Sequence, residues 1–505
     1  KERRSVRGKA ICYFARGILS MQILINIGNA VNNVMGIFGS TIIVPIIIFI
    51  ISVCMKVGVK KSFQGALYMA VGLTLFNAVL SILMTAITPY VTAMADNVGI
   101  ELPYIDIGWQ GASVVVYSNT LGYIYLVLGL GLNLLLFGLK LVDTFQPTDI
   151  WNYYQFVFWA VIVQFTTGSF ALGIAAAVVC NLVVLLIADI IAPSLQEFNG
   201  YDNLTLTSCP SGGAPFAMIV RWIVMKLKIK TKPISAETLQ NRFGFWGEPL
   251  IIGLIVGILI AVLGSITGLG EVTTWAGILT TAITIAGIMV IYPSVSGLFV
   301  KGLIPLSQSM QAKAQAGKSK RKYFHVAMDP AVFFGNGDNM AAALILIPIV
   351  FFTSLVMPGN KLLMLADIPA MAFMTAGLIC VFRGDILMTI ISGTIWFNIS
   401  NVLNSEVCSA FTKAAEAAGV ASQMESVASA FDQGLGIAAW TVGTNPVLWL
   451  VYKAFSLEGS IKIIAIVVLI AALAFIYISF RRNKKAWWMA AGASEEYLLE
   501  RGYIE

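Results

Sequence analysis

Long apolar stretches without any charge recur along the chain. No Asp, Glu, Lys or Arg occurs at positions 64–95, 386–404 or 463–480. A helix needs about 17 to 25 apolar residues to cross the hydrocarbon core of a bilayer, and each stretch reaches that length. The stretches are continuously apolar, whereas the strands of a membrane β-barrel alternate between apolar and polar residues. The pattern therefore predicts an all-α polytopic membrane protein.

Basic residues at the ends of these stretches give the predicted spans an orientation. Three lysines lie in the turn 56–61, five Lys or Arg residues lie within 221–232, and four lie within 481–485. Cytoplasmic loops carry an excess of Lys and Arg, so these segments and the C-terminus are predicted to be cytoplasmic. The segment 91–120 has only acidic charges and is predicted to lie outside. Roughly eleven transmembrane helices are predicted, at about 36–55, 65–90, 121–141, 151–169, 170–193, 248–268, 275–298, 340–358, 362–382, 386–402 and 461–480.

Other segments are predicted to lie beside the transmembrane region 36–485. The N-terminal segment 1–35 is basic and amphipathic, and it either enters the membrane or lies on the outer face. The segment 299–322 is amphipathic. It is predicted to be an arm that links two bundles at the membrane surface, or else an ordinary solvated helix. Residues 486–505 are predicted to form a cytoplasmic tail.

Two short apolar pieces are too polar to span the membrane. Residues 326–339 read VAMDPAVFFGNGDN, and residues 434–452 contain Gly443, Asn445 and Pro446 in their middle. Non-helical backbone at membrane depth persists only where protein or a wet cavity shelters it. Both pieces are therefore predicted to be broken or re-entrant hairpins, and the first is predicted to line a substrate cavity.

The composition excludes several classes of protein. Of the 505 residues 58% are hydrophobic and 11% are charged, and the mean hydropathy is +0.86, which excludes a water-soluble chain. The net charge of +7 comes from residues at span ends, where cytoplasmic retention explains them better than nucleic-acid binding does. The six cysteines form no CxxC motif and His325 is the single histidine, so no metal site, disulfide framework or cofactor is expected.

Cys209, in the segment TSCPSGGAP, invites comparison with a phosphocysteine. Phosphoryl capture needs pre-arranged donors for an anion, and no soluble α/β domain surrounds this cysteine. No phospho-accepting or catalytic residue is therefore expected in this chain.

Four polar motifs occur at positions where apolar residues would cost less free energy in a membrane. They are GWQGAS (108–113), DIWNYYQ (149–155), FGFWGEP (243–249) and MDPAVFFGNGDN (328–339). Carboxylates, amides and indole rings bind neutral polyols through bidentate hydrogen bonds and CH stacking. A carboxylate at mid-membrane costs on the order of 2.5 to 3.5 kcal/mol unless it is paired or wetted. The candidate substrate-binding residues are Glu248, Asp329, Gln155, Asn152, Trp109, Trp246, Asn336 and Asp338.

Each candidate also has a structural interpretation. Glu248 and Asp329 each open a predicted element, where a carboxylate also suits the helix dipole. Trp109 and Trp151 could instead anchor the chain at the membrane interface. The segment around Asn336 could be a plain turn.

The same motifs resemble those of a known family. FGFWGEP, AMDPAVFFG, TDIWN, GWQGAS and FRGDILMTIISG occur in the order and at the spacing found in galactitol-type IIC permeases of the bacterial phosphotransferase system. These permeases belong to the ascorbate and galactitol superfamily, and the resemblance covers about 36–485. It implies a homodimer in which each protomer has a scaffold domain and a core domain that carries the sugar by an elevator-like shift.

The resemblance also bears on individual residues. Glu248 and Asp329 match acidic positions that resemble sugar ligands in the family. Relatives often carry histidines after the IWN segment, near the polar turn 208–213 and in the hairpin tip, whereas this chain has Gln155, a Ser/Cys/Pro turn and Asn336. The identity of the sugar is therefore left open.

The expected function is that of a IIC subunit in the bacterial inner membrane, which moves galactitol or a related carbohydrate. A separate IIB protein, itself supplied by IIA, would phosphorylate the sugar. The basic segments 226–232 and 313–322 could steer an acidic IIB to the cytoplasmic face. The alternative is an ion-coupled secondary transporter in which Glu248 or Asp329 binds a proton or sodium. A membrane-bound enzyme is a more distant alternative.

Overall fold

The computed structural model describes residues 40–99, 101–146, 152–228, 233–315 and 323–504. In these ranges seven helices contain a stretch long and apolar enough to cross a membrane. The other four predicted spans coincide with shorter helices at 40–54, 153–167, 249–264 and 371–379. The prediction of an all-helical polytopic membrane protein is confirmed.

Four helices form one compact group, called here the four-helix body. They are α1 (Ser40–Cys54), α2 (Val59–Val98), α9 (Pro249–Gly264) and α10 (Val272–Gln315). Lipid tails give no hydrophobic drive for helix association, so such helices need close backbone approach. A Cβ at Gly65 in α2 would lie 2.5 Å from the carbonyl oxygen of Gly302 in α10. The crossing of α2 and α10 therefore depends on glycine.

The second group of elements, called here the two-repeat body, contains two chain segments of similar order. The first segment consists of β1 (Tyr104–Asp106), α3 (Gly108–Ser118), α4 (Thr120–Gly138), β2 (Thr144–Phe145), α5 (Tyr153–Thr167), α6 (Phe170–Asn199), β3 (Leu204–Leu206) and α7 (Gly213–Lys226). The short helix α8 (Ala236–Phe243) then leads to α9.

The second segment follows α10. Its elements are β4 (His325–Met328), α11 (Gly337–Val356), β5 (Leu362–Leu363), α12 (Met371–Ile379), α13 (Ile386–Ser405), α14 (Cys408–Ala417), α15 (Glu425–Asp432), β6 (Gly436–Ala438), α16 (Trp440–Gly443) and α17 (Pro446–Ser456). Apart from α14 and α15, and with 3-10 turns counted as short helices, both segments repeat the same unit three times: a strand, a short helix and a longer helix.

Two small parallel sheets show that the second segment is inverted relative to the first. One sheet has the order β5-β1-β6 and the other has the order β2-β4-β3. The helices α3 and α4 lie between β1 and β2 in the chain, and the two strands belong to separate sheets. The first segment thus contributes one strand and then two strands to opposite sheets, and the second segment does the same with the sheets exchanged. Inverted repeats of this kind are common in membrane transporters.

The C-terminal elements pack at the end of the two-repeat body that carries the β2-β4-β3 sheet. They are α18 (Gly459–Arg482), α19 (Lys484–Ala490) and α20 (Glu495–Glu500). Arg481 and Lys484 form ion pairs with Asp143, just before β2. The hydroxyl group of Tyr503 donates to Oε1 of Gln196 over 2.8 Å. This end therefore lies on the side that the charge pattern predicts to be cytoplasmic.

Several details differ from the sequence prediction. Residues 272–315 form one helix, so the predicted span 275–298 and the start of the predicted arm 299–322 are continuous. The two sheets were not predicted, because their strands have only two to four residues. The predicted break within 434–452 is present, since α16 ends at Gly443 and α17 begins at Pro446. The segment 1–35 lies outside the described residues.

We expect Gly65→Ala to destabilise the protein. The added methyl group would clash with the backbone of α10, and overpacking of this kind costs about 1 to 3 kcal/mol. Gly287 in α10 is a matched control, because a Cβ there meets nothing within 4 Å. The thermal melting temperature in detergent should fall for Gly65→Ala and stay equal or rise for Gly287→Ala. Equal melting temperatures for the two variants would contradict the tight crossing.

Candidate functional site

A cavity lies next to the segments that directly follow the six strands. Its wall includes at least one residue from the segment after each strand. In strand order from β1 to β6, these are Trp109; Asn152, Tyr154 and Gln155; Pro210; Asp329, Pro330 and Ala331; Phe373 and Met374; and Thr441. The inverted repeats therefore build one site between them, midway between the two sheets.

Asp329 is the carboxylate of this cavity. It follows β4 directly and starts the 3-10 turn Pro330–Val332, where its Oδ1 accepts from the backbone N–H of Ala331 over 2.8 Å. Its Oδ2 accepts from Nδ2 of Asn152 over 2.9 Å. Asp329 is thus both a turn cap and a cavity-lining group, so the two interpretations of this residue are compatible.

Asn152 and Gln155 extend this polar group along the start of α5. Nε2 of Gln155 donates to Oδ1 of Asn152. The two residues are three apart, so both side chains lie on one face of the helix start. Both are buried and both line the cavity. The chain Gln155–Asn152–Asp329 therefore presents amide and carboxylate groups to a bound solute.

Trp109 contributes an unsatisfied donor. Its indole Nε1 is buried without a hydrogen-bond partner, and the ring lines the cavity. A buried donor without a partner costs about 1 to 3 kcal/mol. A hydroxyl oxygen of a bound solute could remove this cost.

Two buried carboxylates hold the β5-β1-β6 side of the cavity in place. Oδ1 of Asp106 accepts from the backbone N–H groups of Gly108 and Trp440, and its Oδ2 accepts from the N–H of Asp367. Asp367 accepts from the N–H of Trp109 over 2.8 Å, and from the N–H and hydroxyl group of Thr441. Asp106 and Asp367 therefore join the three segments that follow β1, β5 and β6.

The four-helix body closes the cavity from the side. Leu73, Phe76 and Asn77 of α2 line it. Next to them, Phe76 and Tyr292 contact Phe334 and Phe373 of the two-repeat body, with ring centroids 4.3 to 5.8 Å apart. The cavity thus lies at the seam between the two bodies, and the seam beside it is aromatic.

Four other sequence-predicted residues are not in the cavity wall. Glu248 lies before α9, is half-buried and makes no side-chain cap bond. Trp246 is 66% exposed and contacts Phe245. Oδ1 of Asn336 accepts from the N–H of Asp338 and caps α11. Oδ1 of Asp338 accepts from the N–H of Ala236 at the start of α8. Their roles in sugar binding stay predictions.

Trp151 lies outside the described residues. Sequence reasoning missed Asn77, Tyr154, Thr441, Asp106 and Asp367. One signal was available: prolines recur after β3, β4, β5 and β6, in SCP, MDP, DIP and TNP. This repetition marks Asp367 as a counterpart of Asp329.

The cavity suits a small neutral solute with several hydroxyl groups. It holds about 60 Å³ of space for water centres, which corresponds to roughly four to six water molecules. Its wall, as far as the described residues form it, combines one carboxylate, three side-chain amides, an indole and aromatic faces without Lys, Arg or His. Such walls bind sugars by hydrogen bonding and ring stacking. Within the described ranges, no three His, Cys, Asp or Glu side chains come together in a way that could hold a metal ion.

Comparison with known proteins places these features in context. A family model described as "PTS system sugar-specific permease component" (EIIC-GAT) matches residues 33–434. The chain is 26% identical over 422 residues to the "PTS system galactitol-specific EIIC component" of Escherichia coli strain K12, covering 83% of this chain and 89% of that protein. It is 28% identical over 453 residues to a "Putative permease IIC component" of the same strain, covering 88% and 98%.

We expect Asp367→Ala to destabilise the protein at the wall of the cavity. The change leaves the buried donors of Trp109 and Thr441 without an acceptor, at about 1 to 3 kcal/mol for each. The melting temperature in detergent should therefore fall by several degrees. Asp432→Ala is the control, because Asp432 is exposed at the end of α15. Equal melting temperatures for the two variants would show that the hydrogen bonds of Asp367 do not stabilise the cavity wall.

Proposed function

The chain belongs to the family of PTS system sugar-specific permease components, and from this premise we propose that the cavity around Asp329 binds galactitol or a related neutral carbohydrate during transport. The observation that carries the proposal is the hydrogen-bonded chain Gln155–Asn152–Asp329 beside the unsatisfied indole of Trp109. A polyol offers donors to the carboxylate and acceptors to the indole. The galactitol component named among the relatives supports this choice of sugar.

The sugar is handed to a separate IIB protein on the cytoplasmic side, where it is phosphorylated. A IIB partner supplied by IIA is the usual arrangement that the family implies. Lys226 ends α7, and Arg221 of that helix donates to the carbonyl oxygen of Met489 in α19, so this basic helix end lies beside the C-terminal elements and suits an acidic partner. The permease itself binds and moves the sugar, and the chemistry belongs to the partner.

Transport occurs by a shift of the two-repeat body against the four-helix body. Among the described residues, side-chain hydrogen bonds stay within one body or the other, whereas contacts beside the cavity are aromatic, such as Tyr292 with Phe334. Apolar seams slide at little cost, because no directional bond has to break. Two protomers form a homodimer in the inner membrane of a bacterium, with the four-helix bodies as the static part.

An ion-coupled transporter is the competing function, with Asp329 as the ion ligand. Both oxygens of Asp329 already accept from neutral N–H donors. Beside Asp329 the described wall offers three side-chain amides and the indole donor of Trp109, which together can bind several hydroxyl groups, whereas N–H donors cannot bind a cation. This arrangement favours the sugar.

We expect Asp329→Asn to weaken sugar binding at least tenfold, because a charge-assisted hydrogen bond of about 1.5 to 3 kcal/mol is lost. Calorimetry with galactitol on the purified protein measures this change. Asp432→Asn at an exposed position should leave the affinity unchanged. Glu248→Gln measured beside them tests the sequence prediction for Glu248, since an effect equal to that of Asp329→Asn would place both residues at the sugar. Unchanged affinity in Asp329→Asn would remove this cavity as the binding site.

We expect uptake to depend on the phosphorylating partner. Membrane vesicles with the permease should accumulate labelled galactitol only as a phosphate ester, and only when IIB, IIA and phosphoenolpyruvate are supplied. Accumulation of unmodified sugar driven by a proton or sodium gradient would instead support the ion-coupled transporter. The Asp329→Asn variant in the same vesicles is the control for transport through the cavity.

A further inference from the structure

A second cleft, separate from the sugar cavity, opens in the four-helix body at the end that carries the turn between α1 and α2. It has a volume of about 570 Å³. Its wall includes Lys56, Lys61 and Lys301, together with Gln64 and Tyr68. The crossing of α2 and α10 at Gly65 and Gly302 brings these side chains from separate elements to one place.

The positive charges around the cleft favour the binding of an anion. All three lysines are exposed and take no part in the ion pairs formed among the described residues. Among the described residues no Asp or Glu lines the wall, and three positive charges border one space. Like charges repel at short range unless an anion lies between them. In addition, α2 begins at this cleft after Gly58, which gives no side-chain cap, so the positive end of the helix dipole adds to the field.

The wall of the cleft is also partly apolar. Besides the lysines it includes Val57, Tyr68 and Pro305, and Tyr68 is 39% exposed. Such apolar exposure at the end of a membrane helix is solvated by acyl chains. A ligand with a phosphate head and hydrocarbon tails matches both surfaces at once.

We propose that this cleft binds the head group of an anionic phospholipid in the cytoplasmic leaflet. The phosphate lies among Lys56, Lys61 and Lys301, and the acyl chains run along Tyr68 and Pro305. Basic pockets between membrane helices on the cytoplasmic side bind such head groups. The lipid would also brace the crossing of α2 and α10. The proposal is independent of the proposed sugar transport, because neither the cleft nor its test involves the sugar cavity.

The test measures lipid binding to the full chain in neutral detergent. Phosphatidylglycerol, phosphatidylcholine and inorganic phosphate are titrated separately, with bound lipid counted by native mass spectrometry and stability followed by thermal melting. The cleft variant combines Lys56→Gln, Lys61→Gln and Lys301→Gln. The matched control removes the same charge elsewhere, through Lys361→Gln, Lys413→Gln and Lys462→Gln, none of which lines the cleft.

We expect phosphatidylglycerol to bind the wild type and the control, and its apparent affinity for the cleft variant to fall at least about tenfold. A third variant with Lys→Arg at the three cleft positions should keep the affinity, because it keeps the three positive charges. A loss in the Gln variant alone is then due to the lost charge and not to misfolding caused by substitution at these positions. Equal loss in the cleft variant and the control would mean a general charge effect and overturn the proposal. A cleft-dependent rise in melting temperature with inorganic phosphate alone would assign the cleft to a free anion and also overturn it.

Discussion

The structure depends on one constraint: backbone N–H and C=O groups at membrane depth must find partners within the protein. In the two-repeat body the six short strands interrupt the helices, and the backbone there still finds partners. Two three-stranded sheets pair part of this backbone, and side chains accept from further N–H groups. Asp106 and Asp367 accept from the segments after β1, β5 and β6, and Asn445 accepts from the N–H of Leu448 at the start of α17. The buried polar residues are therefore first a requirement of the fold.

The same constraint explains where a polar cavity can form. A helix or a 3-10 turn begins at the cavity after each strand, so partly positive helix starts meet there from both sides of the membrane. The carboxylate of Asp329 offsets the partial positive charge of these helix starts within the wall. The amides of Asn152 and Gln155 extend its hydrogen bonds. Solute oxygens fit such a site without any cationic side chain. The proposed polyol cavity thus needs few special residues once the helices are broken in this way.

The sequence reveals the features that are local, and the structure adds those that depend on distant pairing. The long spans and the break at Gly443 follow from hydropathy and from Gly, Asn and Pro within a short window. The strands could not be predicted, since β2 and β5 have two residues each and pair with strands far away in sequence. Asp329 and Asn152 were found because polar motifs interrupt apolar sequence there. Asp367 was hidden inside the predicted span 362–382, and Glu248 resembles Asp329 in sequence although only Asp329 lines the cavity.

The position of the cavity also constrains how a solute can leave it. The wall contributed by the two-repeat body is fastened by hydrogen bonds such as those of Asp367, so opening within this body would expose several buried backbone groups. The wall contributed by α2 meets it through Phe76 and other aromatic rings, which can separate or slide without losing hydrogen bonds. Opening along the seam therefore costs less than opening through the body. The broken helices make the site, and the apolar seam beside it is where the proposed shift between the two bodies would meet the least resistance.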